Sequence, residues 1–251
     1  MGALHAGHIS LVRAARHQCD VVAASIFVNP TQFGPKEDFS KYPRTFERDR
    51  EMLQAEKVGI LFAPSVEEIY PAGATTFVTV EGLSEKLCGR SRPGHFRGVT
   101  TVVSKLFNIV EPDYAFFGQK DAAQAAIIQR MVSDLGFNVE IVVCPIVREP
   151  DGLALSSRNA YLDPQQRKQA TVLYRSLMRV QFLADRGERD STRLVAAALE
   201  EFKQQPEVKL DYFEIVDRRT LDPVASIANG ALVAVAALVG TTRLIDNIVL
   251  H

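Results

Sequence analysis

Cysteine is scarce: three in 251 residues. Cys19, Cys88 and Cys144 lie far apart and form no C-x-x-C pair. An odd, dispersed set excludes a disulfide framework and suits a reducing compartment. No H-E-x-x-H and no Cys/His cluster at zinc spacing occurs either, which argues against a structural or catalytic zinc site. Excess charge of either sign is also lacking. The formal net charge is −1 and the sequence pI about 6.5, so the chain carries no global footprint for nucleic acid. Long apolar runs are missing too: the longest, 231–239, is of buried-strand length and far short of a membrane span. With no leader pattern at Met1, a cytoplasmic protein is expected. There is no internal repeat. What remains is an ordinary globular composition, 47% hydrophobic and 24% charged, enough for one large domain or two modest ones.

Hydrophobic periodicity divides the chain. The β-branched run 21–28 predicts a strand buried on both faces, followed by the polar turn Asn29-Pro30-Thr31-Gln32-Phe33-Gly34. A helix capped by Thr45 is predicted over 45–57, a strand over 59–63, a short helix opened by the capping box at Ser65, and a strand over 76–80. Val99, Val102, Val103, Leu106, Phe107 and Val110 keep helical spacing up to Pro112. Strands at 114–117 and 139–143 flank a helix running through Leu135. This alternation predicts an α/β, Rossmann-like, doubly wound parallel sheet over residues 1–147. Beyond it, one helix from the Asp163-Pro164 cap to about 185, another over 191–205, and consecutive strands at 210–216, 231–239 and 244–250 predict a smaller α+β lid domain over 148–251, with antiparallel pairing.

The chemistry gathers at loops. Gly2-Ala3-Leu4-His5-Ala6-Gly7-His8 leads straight into an amphipathic run, which puts His5 and His8 at a helix start. Unpaired backbone N–H groups and the positive end of the helix dipole attract phosphate there, and Gly7 is expected to let a ligand approach the backbone. This H-x-G-H pattern is used by enzymes that attack the α-phosphate of ATP. Taken alone, it also fits a plain cap with solvated imidazoles, and least well a metal pair. Gly118-Gln119-Lys120-Asp121 sets an ammonium at another helix start, where an anion would remove the electrostatic conflict and Asp121 could accept from a ribose hydroxyl. Ser156-Ser157-Arg158-Asn159 aligns two hydroxyls and a guanidinium, donors suited to phosphate oxygens. Cys88 reads as a small apolar side chain.

Together with Ser25-Ile26-Phe27-Val28-Asn29-Pro30-Thr31-Gln32-Phe33, Tyr42-Pro43-Arg44-Thr45 and Ser91-Arg92-Pro93-Gly94-His95-Phe96-Arg97-Gly98-Val99, these motifs resemble the pantoate–β-alanine ligase (pantothenate synthetase) family, down to Gly240-Thr241-Thr242-Arg243-Leu244-Ile245-Asp246-Asn247. The resemblance implies that pantoate and ATP form pantoyl adenylate and pyrophosphate, and that β-alanine then displaces AMP. It also implies Mg²⁺ and a homodimer. Attack at the α-phosphate crowds negative charge on phosphorus, so the chemistry calls for positioned donors and cations. His5, His8, Lys120 and Arg158 supply them, with Ser156 and Ser157 on the β- and γ-phosphates. By resemblance Gly118 and Asp121 hold the ribose, Gln32 and Gln124 bind pantoate, Met1 lines the ATP site and Asp49 belongs to the metal shell. Arg92 and His95 fall in a loop that closes on the substrates.

This chain departs from the family pattern at Gln119, at Ala122-Ala123 and at Leu155, where the family favours Glu, an aromatic-Gln pair and Met. Family members also carry roughly a strand and a helix before the residue matching Met1. The resemblance therefore implies a truncated or mis-started chain whose sheet lacks its first, normally central strand, which puts its activity at issue. Another H-x-G-H nucleotidyltransferase of cofactor synthesis is the alternative, but such enzymes lack the Ser-Ser-Arg-Asn and Arg-Pro-Gly-His-Phe-Arg loops. A tRNA synthetase fragment would call for a basic surface that this charge balance does not offer.

Overall fold

A computed structural model describes residues 1–34, 39–40 and 42–251. The first part of the chain runs α1 (Ala6–Gln18), β1 (Ala23–Ser25), α2 (Phe46–Ala55), β2 (Ile60–Phe62), α3 (Val66–Ile69), α4 (Cys88–Ser91), α5 (His95–Val110), β3 (Tyr114–Gly118), α6 (Ala122–Leu135) and β4 (Glu140–Cys144). The second runs α7 (Pro164–Ala170), α8 (Val172–Asp185), α9 (Ser191–Lys203), β5 (Val208–Val216), β6 (Ala231–Val239) and β7 (Thr242–Leu250). Local chemistry sets several boundaries. Helix α5 stops where Glu111 turns left-handed (φ 46°) ahead of Pro112, and α6 stops at Gly136 (φ 63°). The capping box at Ser65 and the Asp163-Pro164 cap form as their sequences predict, and Gln166 closes the latter into a box as well.

Among the described residues the strands assemble into three sheets. β1 pairs with β2 and β3 with β4, both in parallel, while β5-β6-β7 is antiparallel. The strand-helix alternation predicts parallel pairing, and both of these pairs are parallel; among the described residues they do not hydrogen-bond to each other. Met1 lies along β1, where its N donates to Ser25 O and its O accepts from Phe27 N, both at 3.0 Å. An open cleft of about 900 Å³ is lined by β1, β3 and the apolar face of α5. Strand β1 is shorter than the apolar run that predicts it.

Strand β6 explains how the antiparallel sheet joins the rest. Its residues Val233, Val235 and Ala237 pack in one apolar cluster with Leu173, Leu177 and Leu194 of α8 and α9. The alternate residues Leu232, Ala234 and Ala236 pack in another with Val99 and Phe96 of α5 and Ile127 of α6. Side chains alternate across a strand, so a strand covered on both faces has no polar positions. Two further expectations change. The predicted 76–80 strand does not form: Val78 N donates to Thr101 Oγ1 (3.0 Å) and Val78 O accepts from Thr100 Oγ1 (2.6 Å), so α5 side chains occupy the backbone groups a ladder would use. The helix predicted from Asp163 to about 185 is divided at Thr171 into α7 and α8, where the Thr171 hydroxyl bonds back to Lys168 O (2.7 Å).

Candidate active site

His5 is the N-cap of α1, and the two histidines form its capping box. His5 Nδ1 accepts from Gly7 N (3.1 Å) and His8 Nδ1 accepts from His5 N (3.3 Å), with ring centroids 4.1 Å apart. A ring nitrogen that accepts carries no proton, so each neutral imidazole holds its proton on Nε2, as an outward donor. Burial, then the nearby Lys120 ammonium, pushes the His5 pKa down. Burial, then His5, brings His8 down to about 3. The pair is therefore neutral at physiological pH, and the site's formal positive charge comes from elsewhere. Gly7 has a role toward His5 itself: a Cβ there would stand 2.9 Å from His5 Cε1 and 3.0 Å from Nδ1, so its absence is what lets the imidazole fold over the helix start.

The strand-end turns complete the site. Helix α6 follows β3 through Gly118-Gln119-Lys120-Asp121, and Lys120 Nζ lies 3.8 Å from Asp121 Oδ1. Across the cleft, Ser156 Oγ accepts from Arg158 N (3.3 Å), Ser157 Oγ is 3.4 Å from Tyr42 OH, and the Arg158 guanidinium stands 5.8 Å from the Tyr42 ring. Met1, His5, His8, Gln32, Gly118, Lys120, Asp121, Gln124, Ser156, Ser157 and Arg158 all line the one cleft. A second, small cavity of about 80 Å³ adjoins it and shares Lys120, Asp121, Gln124, Ser156 and Arg158 as a common wall.

Asp49, which the family resemblance puts in the metal shell, does not line the cleft itself. It is buried outside the cleft lining, where Oδ1 accepts from Leu4 N (2.8 Å) and Thr45 Oγ1 (3.0 Å). Through Oδ1 its carboxylate ties α2 to the segment that carries His5, while its buried Oδ2 has no hydrogen-bond partner. Among the described residues no group of three or more His, Cys, Asp or Glu could hold a metal ion, so these residues offer no protein cage for a divalent cation.

Two asparagines organise the site without being predicted to do so. Buried Asn29 holds the turn after β1: its Oδ1 accepts from Thr31 Oγ1 and Tyr70 OH (both 2.9 Å), and its Nδ2 donates to Gly98 O (3.0 Å) and Gln32 Oε1 (3.3 Å). His95 Nδ1 lies 2.8 Å from Gln32 O, and Arg92 donates to the same oxygen (3.3 Å), so the Arg-Pro-Gly-His loop grips the backbone that presents Gln32. Asn247 of β7 bonds the Gln119-Lys120 backbone. Both fall within the family-like motifs, but apart from that the sequence marks Asn29 by its place at the end of an apolar run and Asn247 as a polar residue inside one.

Comparison with known proteins gives a consistent set. The family description "Pantoate-beta-alanine ligase" matches residues 1–249. A pantothenate synthetase of Koribacter versatilis is 65% identical over 251 residues, covering 100% of this chain and 86% of that protein. One from Thermotoga neapolitana is 59% identical over 250 residues, covering 100% and 89%. A crystal structure of the pantothenate synthetase from Thermus thermophilus superposes with a TM-score of 0.96 at 51% identity, covering 99% of this chain and 90% of that one. A Francisella tularensis pantoate-beta-alanine ligase, complexed with beta-gamma ATP and beta-alanine, superposes with a TM-score of 0.80 at 36% identity, covering 99% and 86%.

Proposed function

The chain belongs to the pantoate–β-alanine ligase family and is an ATP-using ligase that joins pantoate to β-alanine, and from that premise we propose how its cleft divides the work. A pantoate carboxylate oxygen attacks the α-phosphorus of ATP, the bond to the β-phosphate oxygen breaks, and pyrophosphate leaves. The β-alanine amine then attacks the acyl carbon of the adenylate, AMP departs and the amine loses a proton. His5 and His8 act as neutral Nε2–H donors at the start of α1, and Lys120 and Arg158 carry the positive charge that offsets the crowded phosphorus. Ser156 and Ser157 bind the β- and γ-phosphates, Gly118 and Asp121 the ribose, and Gln32 and Gln124 the hydroxyls and carboxylate of pantoate. Met1 lines the nucleotide side. The second step needs orientation and exclusion of water more than further activation.

One observation carries this reading: donors from three separated segments, 5–8, 118–124 and 156–158, line a single cleft. An H-x-G-H nucleotidyltransferase of another kind is disfavoured by the family match over residues 1–249. Mg²⁺ is the ion proposed to accompany ATP. Phosphate oxygens and water commonly make up most of its shell, which suits a site without a protein cage. No step is assigned to it. Family resemblance supports a homodimer and a cytoplasmic location; the structure adds that no helix among the described residues is long and apolar enough to cross a membrane. Residues 148–251 are proposed as a lid over 1–147. Incubation with ATP, pantoate and β-alanine, following AMP and pyrophosphate, tests the assignment: release that depends on pantoate supports it, and release indifferent to pantoate contradicts it.

A further inference from the structure

The mechanism uses Lys120 and Arg158 but leaves open what sets the distance between two turns that come from different parts of the chain. β7 crosses behind both. Asn247 is buried, and its Nδ2 donates to Gln119 O (2.9 Å) and Lys120 O (3.0 Å), while its Oδ1 accepts from Gln119 Nε2 (2.9 Å). Both amide hydrogens and the amide oxygen are thus committed to the turn that carries Lys120. The preceding residue, Asp246, is 2% exposed and bonds Arg148 bidentately, Oδ2 to NH1 at 2.6 Å and Oδ1 to NH2 at 3.0 Å. Asp246 Oδ1 also accepts from Asn247 N (2.7 Å). Arg148 in turn donates to Gly152 O (3.0 Å) and pairs with Ala154 by a β-bridge, fixing the start of the loop that delivers Ser156 and Arg158. Burial pushes the Asp246 carboxyl up while Arg148 opposes that shift.

We infer that the Asp246-Asn247 pair of β7 positions the two phosphate-binding turns relative to each other, Asn247 directly through the 119–120 backbone and Asp246 through Arg148. Both line the small adjoining cavity and are assigned a positioning role, acting through Lys120 and Arg158. Buried amide and ion-pair networks specify a geometry more sharply than apolar packing does, because each lost partner leaves an unsatisfied group. The site sees this as spacing: small displacements of a positioned cation are costly in phosphoryl transfer.

The inference rests on the ligase reading of the cleft, and the test separates the two. Pantoate-dependent ATP–pyrophosphate exchange is measured on the full chain beside the reaction of β-alanine with supplied pantoyl adenylate, which carries no triphosphate. Asn247→Ala is expected to lower exchange about 10- to 100-fold, with most of the loss in kcat/KM for ATP, and to change the adenylate reaction less than about threefold. Asp222→Ala removes an ion pair to Lys86 that touches neither turn (2.7 Å) and is expected to leave both reactions unchanged. If Asn247→Ala does not fold, Gln119→Ala, which removes one of the three bonds, is expected to show the same split at about 3- to 10-fold. Equal loss in both half-reactions, or no loss in a folded variant, overturns the positioning role. Should the wild-type chain show no exchange, the ligase reading of the cleft fails. The positioning inference is then judged by affinity for a nonhydrolysable ATP analogue, which Asn247→Ala should weaken by about tenfold or more; unchanged affinity overturns it.

Discussion

At the scale of single residues, the histidine pair is held by two hydrogen bonds that exist only while both rings are neutral. His8 titrates at about 3 in the folded chain, far below the 6.5 of an exposed imidazole. The unfolded chain therefore binds the extra proton first, so stability is full above about pH 6.5 and is lost progressively as the pH falls toward about 3. Replacing His8 by Gln should flatten that part of the stability–pH curve in denaturant titrations; an unchanged slope between about pH 4 and 6.5 would show that the imidazole is not held neutral. Gly7→Ala is a second test. Its Cβ would meet the His5 ring at 2.9 Å, and the ring must swing away. We expect a fall of about tenfold or more in ATP–pyrophosphate exchange with a stability loss of about 1 kcal/mol, measured by exchange kinetics and chemical denaturation. The location of both histidines at a helix start was legible from the sequence, since glycine and an amphipathic run mark such starts. Their neutrality was not, because it arises from burial and, for His5, from Lys120 far along the chain.

At the scale of elements, α5 and the turn after β1 are locked by backbone approach. A Cβ on Gly98 would stand 2.3 Å from Thr31 O, a contact with backbone that cannot rotate aside. Gly98→Ala should cost about 1–3 kcal/mol and raise KM for pantoate, because the turn carries Gln32; an unaltered KM in a folded variant would separate the turn from pantoate binding. The 16-residue α5 is plain in the sequence from its 3.6-residue spacing, and β5, β6 and β7 from their apolar runs. The 76–80 run misleads because the Val78 backbone meets α5 threonine hydroxyls in place of another strand. The parallel strands stand as two separate pairs among the described residues, and which strand pairs with which is not encoded by composition along a strand. The link from Asp49 Oδ1 to Leu4 N was likewise not legible, because it joins residues 45 apart along the chain.

At the scale of the whole molecule, the two halves share a core, since Leu232, Ala234 and Ala236 of β6 pack with α5 and α6, and they share a site, since the loop carrying Ser156 and Arg158 comes from the half beyond residue 147. Unfolding should accordingly be one cooperative transition. Asp246→Ala, which strands the partly buried Arg148, should lower its midpoint by an amount equivalent to about 3–5 kcal/mol; two separate calorimetric transitions in the unmodified chain would contradict the shared core. In the proposed reaction one cleft gathers cations and neutral donors on ATP so that pantoate can attack its α-phosphate. The decisive measurement is pantoate-dependent ATP–pyrophosphate exchange by Lys120→Ala. Exchange is expected in the unmodified chain, with a loss of about 10²- to 10³-fold in the variant with the fold intact; exchange that survives the loss of the Lys120 ammonium would rule out that arrangement.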